Sequence, residues 1–156
     1  MNASQVDLVK DLTEAEANEL LALGTRSTIA SGAELFPLGA EATSLFVIER
    51  GRIALTLPLH VQGRDEDIMV EERLPGQTVG WSALIPPHRF TLKATSPLET
   101  EVLAIPRQAL AGHFAKHPRV GYIVTHNLAS VVGQRLQVFQ AMWLREMQRI
   151  IELRAL

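Results

Sequence analysis

A chain of 156 residues with 47% hydrophobic and 21% charged side chains is one domain's worth of foldable sequence, which excludes disorder over most of its length. Fifteen lysines and arginines against seventeen aspartates and glutamates leave a formal net charge of −2, the opposite balance from a basic nucleic-acid-binding domain. Having no cysteine, the chain cannot form disulfides, iron–sulfur clusters, thiolate zinc sites or a cysteine nucleophile.

The first ten residues include Asn2, Ser4, Gln5, Asp7 and Lys10 and lack the apolar run of a signal peptide. No apolar stretch approaches the ~18 residues of a membrane span. The expectation is a cytoplasmic protein without membrane contact. Thr13 followed by Glu16 is a capping-box spacing, so a short helix is expected over 13–23, with Gly24 as its C-terminal stop.

From Thr25 to Ile105, short β-rich runs alternate with glycine and proline. The expected strands are 26–30, 35–36, 44–50, 52–57, 67–74, 78–79, 89–95 and 99–105. Turn signals stand at Ser31-Gly32, Leu38-Gly39, Gly51, Gln62-Gly63, Pro75-Gly76 and Ser96-Pro97. Gly39 and Gly51 are read as closing hairpins with a left-handed backbone. The charged run Arg64-Asp65-Glu66-Asp67 is read as a solvated hairpin tip.

After Pro106 the period becomes helical. A short helix is expected over 108–116, closed by His117-Pro118. A long helix follows over 119–156, carrying Val120, Val124, Leu128, Val131, Leu136, Phe139, Met142, Met147 and Ile150, with Gly133 as the place for a bend. The fold expected is mainly β with flanking α: an eight-stranded β-roll, or jelly roll, between a short N-terminal helix and a long C-terminal helix. Residues 10–116 form the roll with its flanking helices and 119–156 the dimerisation helix, with no DNA-binding domain.

The run Ser31 to Ala42, then Leu45-Phe46-Val47-Ile48-Glu49-Arg50-Gly51-Arg52-Ile53, resembles the opening strands of the cyclic-nucleotide-binding domain family, in its Crp-Fnr-like branch. Leu74-Pro75-Gly76-Gln77-Thr78-Val79-Gly80 is similar to the approach to that family's phosphate-binding cassette, and Gln134-Arg135-Leu136-Gln137-Val138 to the middle of its dimer helix. The resemblance spans roughly residues 10–150. It implies a phosphate held by backbone N–H groups of a short helix after a glycine turn, here Gly80, Trp81, Ser82, Ala83 and Leu84.

The resemblance also implies an acid on the ribose, but Trp81 stands in that place. The implied phosphate arginine falls on His88, with Arg89 one position later. Strand alternation puts His88 on the face of Phe90, Leu92 and Ala94, and Arg89 opposite, while a bulge after Pro86-Pro87 would reverse the two. Arg135 matches an arginine that pairs with the missing acid in the family. The base-contacting hydroxyl positions fall on Phe139 and Gln140. Three kinds of ligand contact are therefore altered, and weak binding of cyclic AMP and cyclic GMP is expected. Trp81 either stacks on a base or fills an empty pocket.

Other chemistry has little support. There is no His-x-His pair of the cupin metal enzymes, no nucleophile elbow and no P-loop. His113 and His117 are spaced i, i+4, but no glutamate lies between them and Pro118 ends the helix at once, so no metal is expected there. From Arg135 onward four arginines face two glutamates, a net +2, which is too little for a DNA-binding arm.

The sequence thus points to a sensor for an anionic, phosphate-bearing effector that signals through its C-terminal helix to a separate effector protein. A ligand-free interaction module is the alternative, and a cupin-like metal enzyme the third reading. No catalytic residue and no resident cofactor are expected. The homodimer interface is expected along Val131, Leu136, Phe139, Met142, Trp143, Met147 and Ile150, with Gly121, Ala129 and Gly133 permitting close approach.

Overall fold

The computed structural model describes residues 3–155. Two short 3-10 turns lead into α1 (Glu14–Leu21), eight strands, α2 (Arg107–Lys116) and α3 (Pro118–Arg154). The strands are β1 (Thr25–Ile29), β2 (Glu34–Phe36), β3 (Ser44–Arg50), β4 (Ile53–Val61), β5 (Arg64–Arg73), β6 (Thr78–Val79), β7 (Lys93–Thr95) and β8 (Thr100–Pro106). They form two antiparallel four-stranded sheets, β1-β8-β3-β6 and β2-β7-β4-β5. This is the β-roll with flanking helices that the sequence predicts. Leu156, included in the expected long helix, lies outside the described residues.

The core covers both faces of the sheet that holds β3 and β8. Leu45, Val47 and Ile105 on one face and Ile48 and Val102 on the other are fully buried, as are Ile53 and Leu55 of β4 and Val79. Leu8 and Leu20 bring the N-terminal segment onto it, and Leu110 brings α2. Burial of this apolar surface is the main stabilising term.

The capping box of α1 forms as expected. Thr13 Oγ1 accepts from the Glu16 N–H at 3.2 Å, and Glu16 Oε2 accepts from the Thr13 N–H at 2.9 Å. Gly24 has a different role from a helix stop. The cap residue is Ala22, and the backbone at Gly24 is not left-handed. A Cβ on Gly24 would stand 2.7 Å from Leu103 Cγ, so glycine lets the chain enter β1 against β8.

Gly39 and Gly51 have the expected positive φ, +82° and +85°. They do not close hairpins, however: β2 and β3 lie in different sheets, as do β3 and β4. Both glycines turn the chain from one sheet to the other. The true tight hairpin is β4–β5, where Val61 pairs with Arg64 and both intervening residues, Gln62 and Gly63, have positive φ. That turn lets the ladder run much further than expected, so Arg64 to Asp67 belong to β5 and stay exposed along it.

The expected strand 89–95 survives only as β7 plus an isolated bridge between Glu41 and Arg89. His88, at φ +57°, breaks the extended backbone before it. The alternation of burial persists without the ladder: Phe90, Leu92 and Ala94 are buried, while Arg89 and Thr91 are exposed.

Helix α3 runs uninterrupted through Gly133 for 37 residues, or about 55 Å at 1.5 Å per residue. Its first half presents Val120, Val124, Asn127, Leu128, Val131 and Arg135 to its own chain. Asn127 Nδ2 donates to the carbonyls of Leu8 and Lys10, which pins α3 to the N-terminal segment. Beyond Arg135 no residue of α3 is buried. Among the described residues no helix is long and apolar enough to cross a membrane.

Candidate ligand-binding site

Gly80, at φ +79°, opens a single 3-10 turn, Trp81–Ala83. A side chain at Gly80 would press on Phe46 and Phe90, each 3.2 Å from an added Cβ, so the turn lies hard against the core. Ser82 and Ala83 are buried, and Trp81 and Leu84 half-buried. The expected phosphate-holding helix is thus reduced to one turn. Within it, the N–H groups of Ala83, Leu84 and Ile85 are spent on the carbonyls of Gly80, Trp81 and Ser82. One such turn sums too few peptide dipoles to act as an anion-binding helix end.

Beside the turn is a cavity lined by Phe36, Leu55, Trp81, Phe90, Leu92 and Arg135, among others. Its volume is about 10 Å³. That is room for one water at most, against the roughly 300 Å³ or more of an ordinary ligand pocket. Phe36 and Phe90 stack across it with ring centroids 3.7 Å apart. As they stand, the lining side chains, Trp81 among them, leave no room for a ligand.

Arg135 reaches this cavity from α3. It is 6% exposed, and its Nε donates to Glu71 Oε2 at 2.6 Å. Glu71 also accepts from Arg73 Nη1 at 2.8 Å, and Arg73 Nη2 donates to Asp7 Oδ2 at 3.0 Å. Asp7 in turn accepts from the Thr78 N–H and hydroxyl. Two arginines and two carboxylates thus neutralise one another along a line from α3 through β5 to the N-terminal segment. Burial holds the Arg135 guanidinium below the ordinary arginine range, while Glu71 works against that shift. Arg135 Nη2 is buried with no hydrogen-bond partner among the described residues.

The remaining site residues are dispersed. His88 is half-buried with Nδ1 3.2 Å from the Ser82 carbonyl oxygen. Its contact is with that carbonyl and not the Ser82 hydroxyl, so the two do not make a nucleophile–base pair. Arg89 is exposed, its Nη1 donating to the Gly39 carbonyl at 3.0 Å. Neither His88 nor Arg89 lines the cavity. Phe139 packs half-buried on the core and Gln140 is exposed. Of the expected ligand residues, Gly80, Trp81, Ser82 and Arg135 come together around the cavity.

Glu71 is the partner that sequence reading missed. It lies in β5, 64 residues before Arg135 in the chain. The signal in the sequence is the run Glu71-Glu72-Arg73, and the structure buries Arg73.

On the expected dimer face, Val131 is only 6% exposed and belongs to its own chain's core. Gly121 is buried with an added Cβ 3.0 Å from Phe114, so it serves the contact between α2 and α3. Phe139 and Met142 lean partly on the core. Leu136, Trp143, Leu144, Ile150, Ile151 and Leu153 are exposed.

Residues 26–117 match the model of the cyclic nucleotide-binding domain. Among solved structures, the Thermus thermophilus catabolite activator protein superposes with a TM-score of 0.73 at 22% identity, covering 91% of this chain and 63% of that one. The N-terminal domain of a transcriptional regulator from Streptomyces coelicolor A3(2) gives 0.71 at 23% identity, covering 86% and 94%. The regulatory domain of Toxoplasma gondii PKA with cAMP gives 0.61 at 19% identity, covering 70% and 41%. No curated protein sequence matches.

Proposed function

The chain belongs to the cyclic nucleotide-binding domain family, and from that premise we propose that it is a non-catalytic regulatory domain responding to an anionic, phosphate-bearing effector in the cytoplasm. One observation carries the reading: Arg135, a buried cation with an unpartnered Nη2, lines the cavity beside the Gly80 turn. A guanidinium N–H left without an acceptor in a dry site is a strong donor to an anion. An effector oxygen would supply that partner, and Trp81 would have to swing out to admit it.

The same crowding supports a second reading, a ligand-free interaction module in which Trp81 permanently fills the pocket. Calorimetry with cyclic AMP and cyclic GMP on the unmodified chain and on Trp81→Ala separates the two. For the unmodified chain the expected Kd is above ~100 µM, because the lost ribose acid and strand arginine each cost ~1.5–3 kcal/mol. In Trp81→Ala, binding should tighten at least ~10-fold. Low-micromolar binding to the unmodified chain would refute the filled pocket. A Trp81→Ala protein that stays folded yet binds neither nucleotide favours the interaction module.

The proposal includes a homodimer through α3 that transmits the signal to a separate effector protein. Tyr122, Ala129, Leu136, Trp143 and Ile150 recur every seven residues, the spacing of a two-helix seam. All five are exposed, with Leu136 at 58% and Trp143 at 61%. An added Cβ at Gly133 would meet nothing within 4 Å, which leaves the neighbouring surface open.

A further inference from the structure

The fold brings Glu19 to two histidines nearly a hundred residues later in the chain, three metal-ligating side chains outside the site described above. His113 and His117 end α2, their rings 4.5 Å apart between centroids. Glu19 of α1 joins them, and one donor atom from each of the three lies within 4.8 Å of the others. We propose that Glu19, His113 and His117 form a binding site for a divalent transition metal of the zinc class, with three protein ligands and an open fourth position.

Two features of the local structure support this. His113 Nε2 is buried with no hydrogen-bond partner among the described residues, a cost that a metal bond to that nitrogen would remove. The approach of Glu19 is also built into the fold. Glu16, one turn earlier on α1, accepts from Arg119 Nη1 at 2.6 Å, which holds α1 against the start of α3. Glu19 is thereby turned toward the junction where His117 closes α2 by donating its N–H to the His113 carbonyl. Arg119, the nearby cation this contact defines, is already balanced by Glu16.

The donor set selects the ion. Two imidazoles and a carboxylate suit zinc, cobalt, nickel or copper, whereas calcium and magnesium call for oxygen ligands. Bonds of about 2.0–2.1 Å put tetrahedral ligand atoms about 3.4 Å apart, so the three need close by at most about 1.4 Å. Glu19 and His117 are exposed, and their side chains have freedom to make that movement. A bound ion would tie α1, α2 and the first turn of α3 together on the outside of the β-roll.

The test uses the full chain, free of any affinity tag and stripped with a chelator, titrated with zinc chloride by calorimetry. The expected result is one ion per chain with Kd below about 50 µM, and an unfolding midpoint raised by about 5 °C or more at a hundredfold excess over Kd. Cobalt should give the intense visible bands of four-coordinate geometry, and magnesium should not bind. Glu19→Gln changes an exposed side chain and should weaken zinc at least ~10-fold, and His113→Ala at least ~30-fold. His126→Ala, elsewhere on α3, should leave the affinity unchanged. If His113→Ala proves unstable, His117→Gln in a chain of unchanged circular dichroism replaces it. A Kd above about 50 µM overturns the proposal. So does tight binding that persists in both Glu19→Gln and a folded histidine variant.

Discussion

Arg135 shows how a charge is held inside an apolar roll. Its partner Glu71 serves two guanidiniums, so removing that carboxylate strands both Arg135 and Arg73 in the interior. Breaking a buried pair from one side costs about 3–5 kcal/mol. Glu71→Ala should therefore lower the urea midpoint far more than Arg135→Met, which removes the cation and leaves Glu71 paired with Arg73. Equal losses from the two changes would contradict this account. Trp81→Ala should cost about 2 kcal/mol, less than a fully buried tryptophan, because Trp81 is half-buried. Gly51→Ala combines a φ of +85° with a Cβ 2.5 Å from Thr100 Oγ1 and 2.8 Å from the Glu99 carbonyl. Backbone strain and overlap together should cost more than about 2 kcal/mol, measurable in the same unfolding series.

At the scale of elements, α1 depends on its ends. It has only eight residues, too few to stand alone in water, so its cap and its contacts decide whether it forms. Glu16 is engaged twice, by the Thr13 N–H and by Arg119. Those bonds hold its carboxyl below the ordinary glutamate value of 4.5, the Thr13 backbone contributing most. The folded chain thus binds this proton less readily than the unfolded one. The resulting stabilisation is present above pH 4.5 and is lost as the pH falls below that value through the lowered folded pKa. Glu16→Gln should lower the thermal midpoint at about pH 6, and the gap to the unmodified chain should narrow toward about pH 3. A gap that is constant across that range would show that the charge of Glu16 is irrelevant.

The whole molecule is a β-roll with a helix too long for it. About 55 Å of helix passes a body whose expected radius of gyration is only ~15 Å. The far half therefore carries Leu136, Trp143, Leu144, Ile151 and Leu153 at 58% exposure or more. Monomers rarely leave such a surface in water, and a second copy about a two-fold axis would cover both at once. Light scattering at micromolar concentration should give twice the 17.2 kDa chain mass. Trp143→Asp should give monomers or insoluble protein, and a monomeric unmodified chain would refute the dimer.

Much of this architecture was legible locally. The Thr13–Glu16 cap, the bounds of β3 and β6, the long helix and the β-roll class follow from short-range spacing, since capping, alternation and helical period act within a few residues. Gly80 was also readable, because a left-handed turn needs a glycine whatever surrounds it. What the sequence could not decide depends on distant segments meeting. Gly24 is required by Leu103, which only the pairing of β1 with β8 brings near. Strand 89–95 shortened because the chain bends at Thr91 and Leu92, between the bridge at Arg89 and β7, while side-chain burial kept the alternation. From the sequence Trp81 either stacks on a base or fills the pocket, and the cavity's volume depends on Phe36, Phe90 and Leu92 arriving from other parts of the roll. Arg135 was singled out, yet its partner Glu71 and the triad of Glu19, His113 and His117 exist only after folding. Charge pairing and ligand geometry are properties of distances in space, and in this chain those distances span 64 residues for one and nearly a hundred for the other.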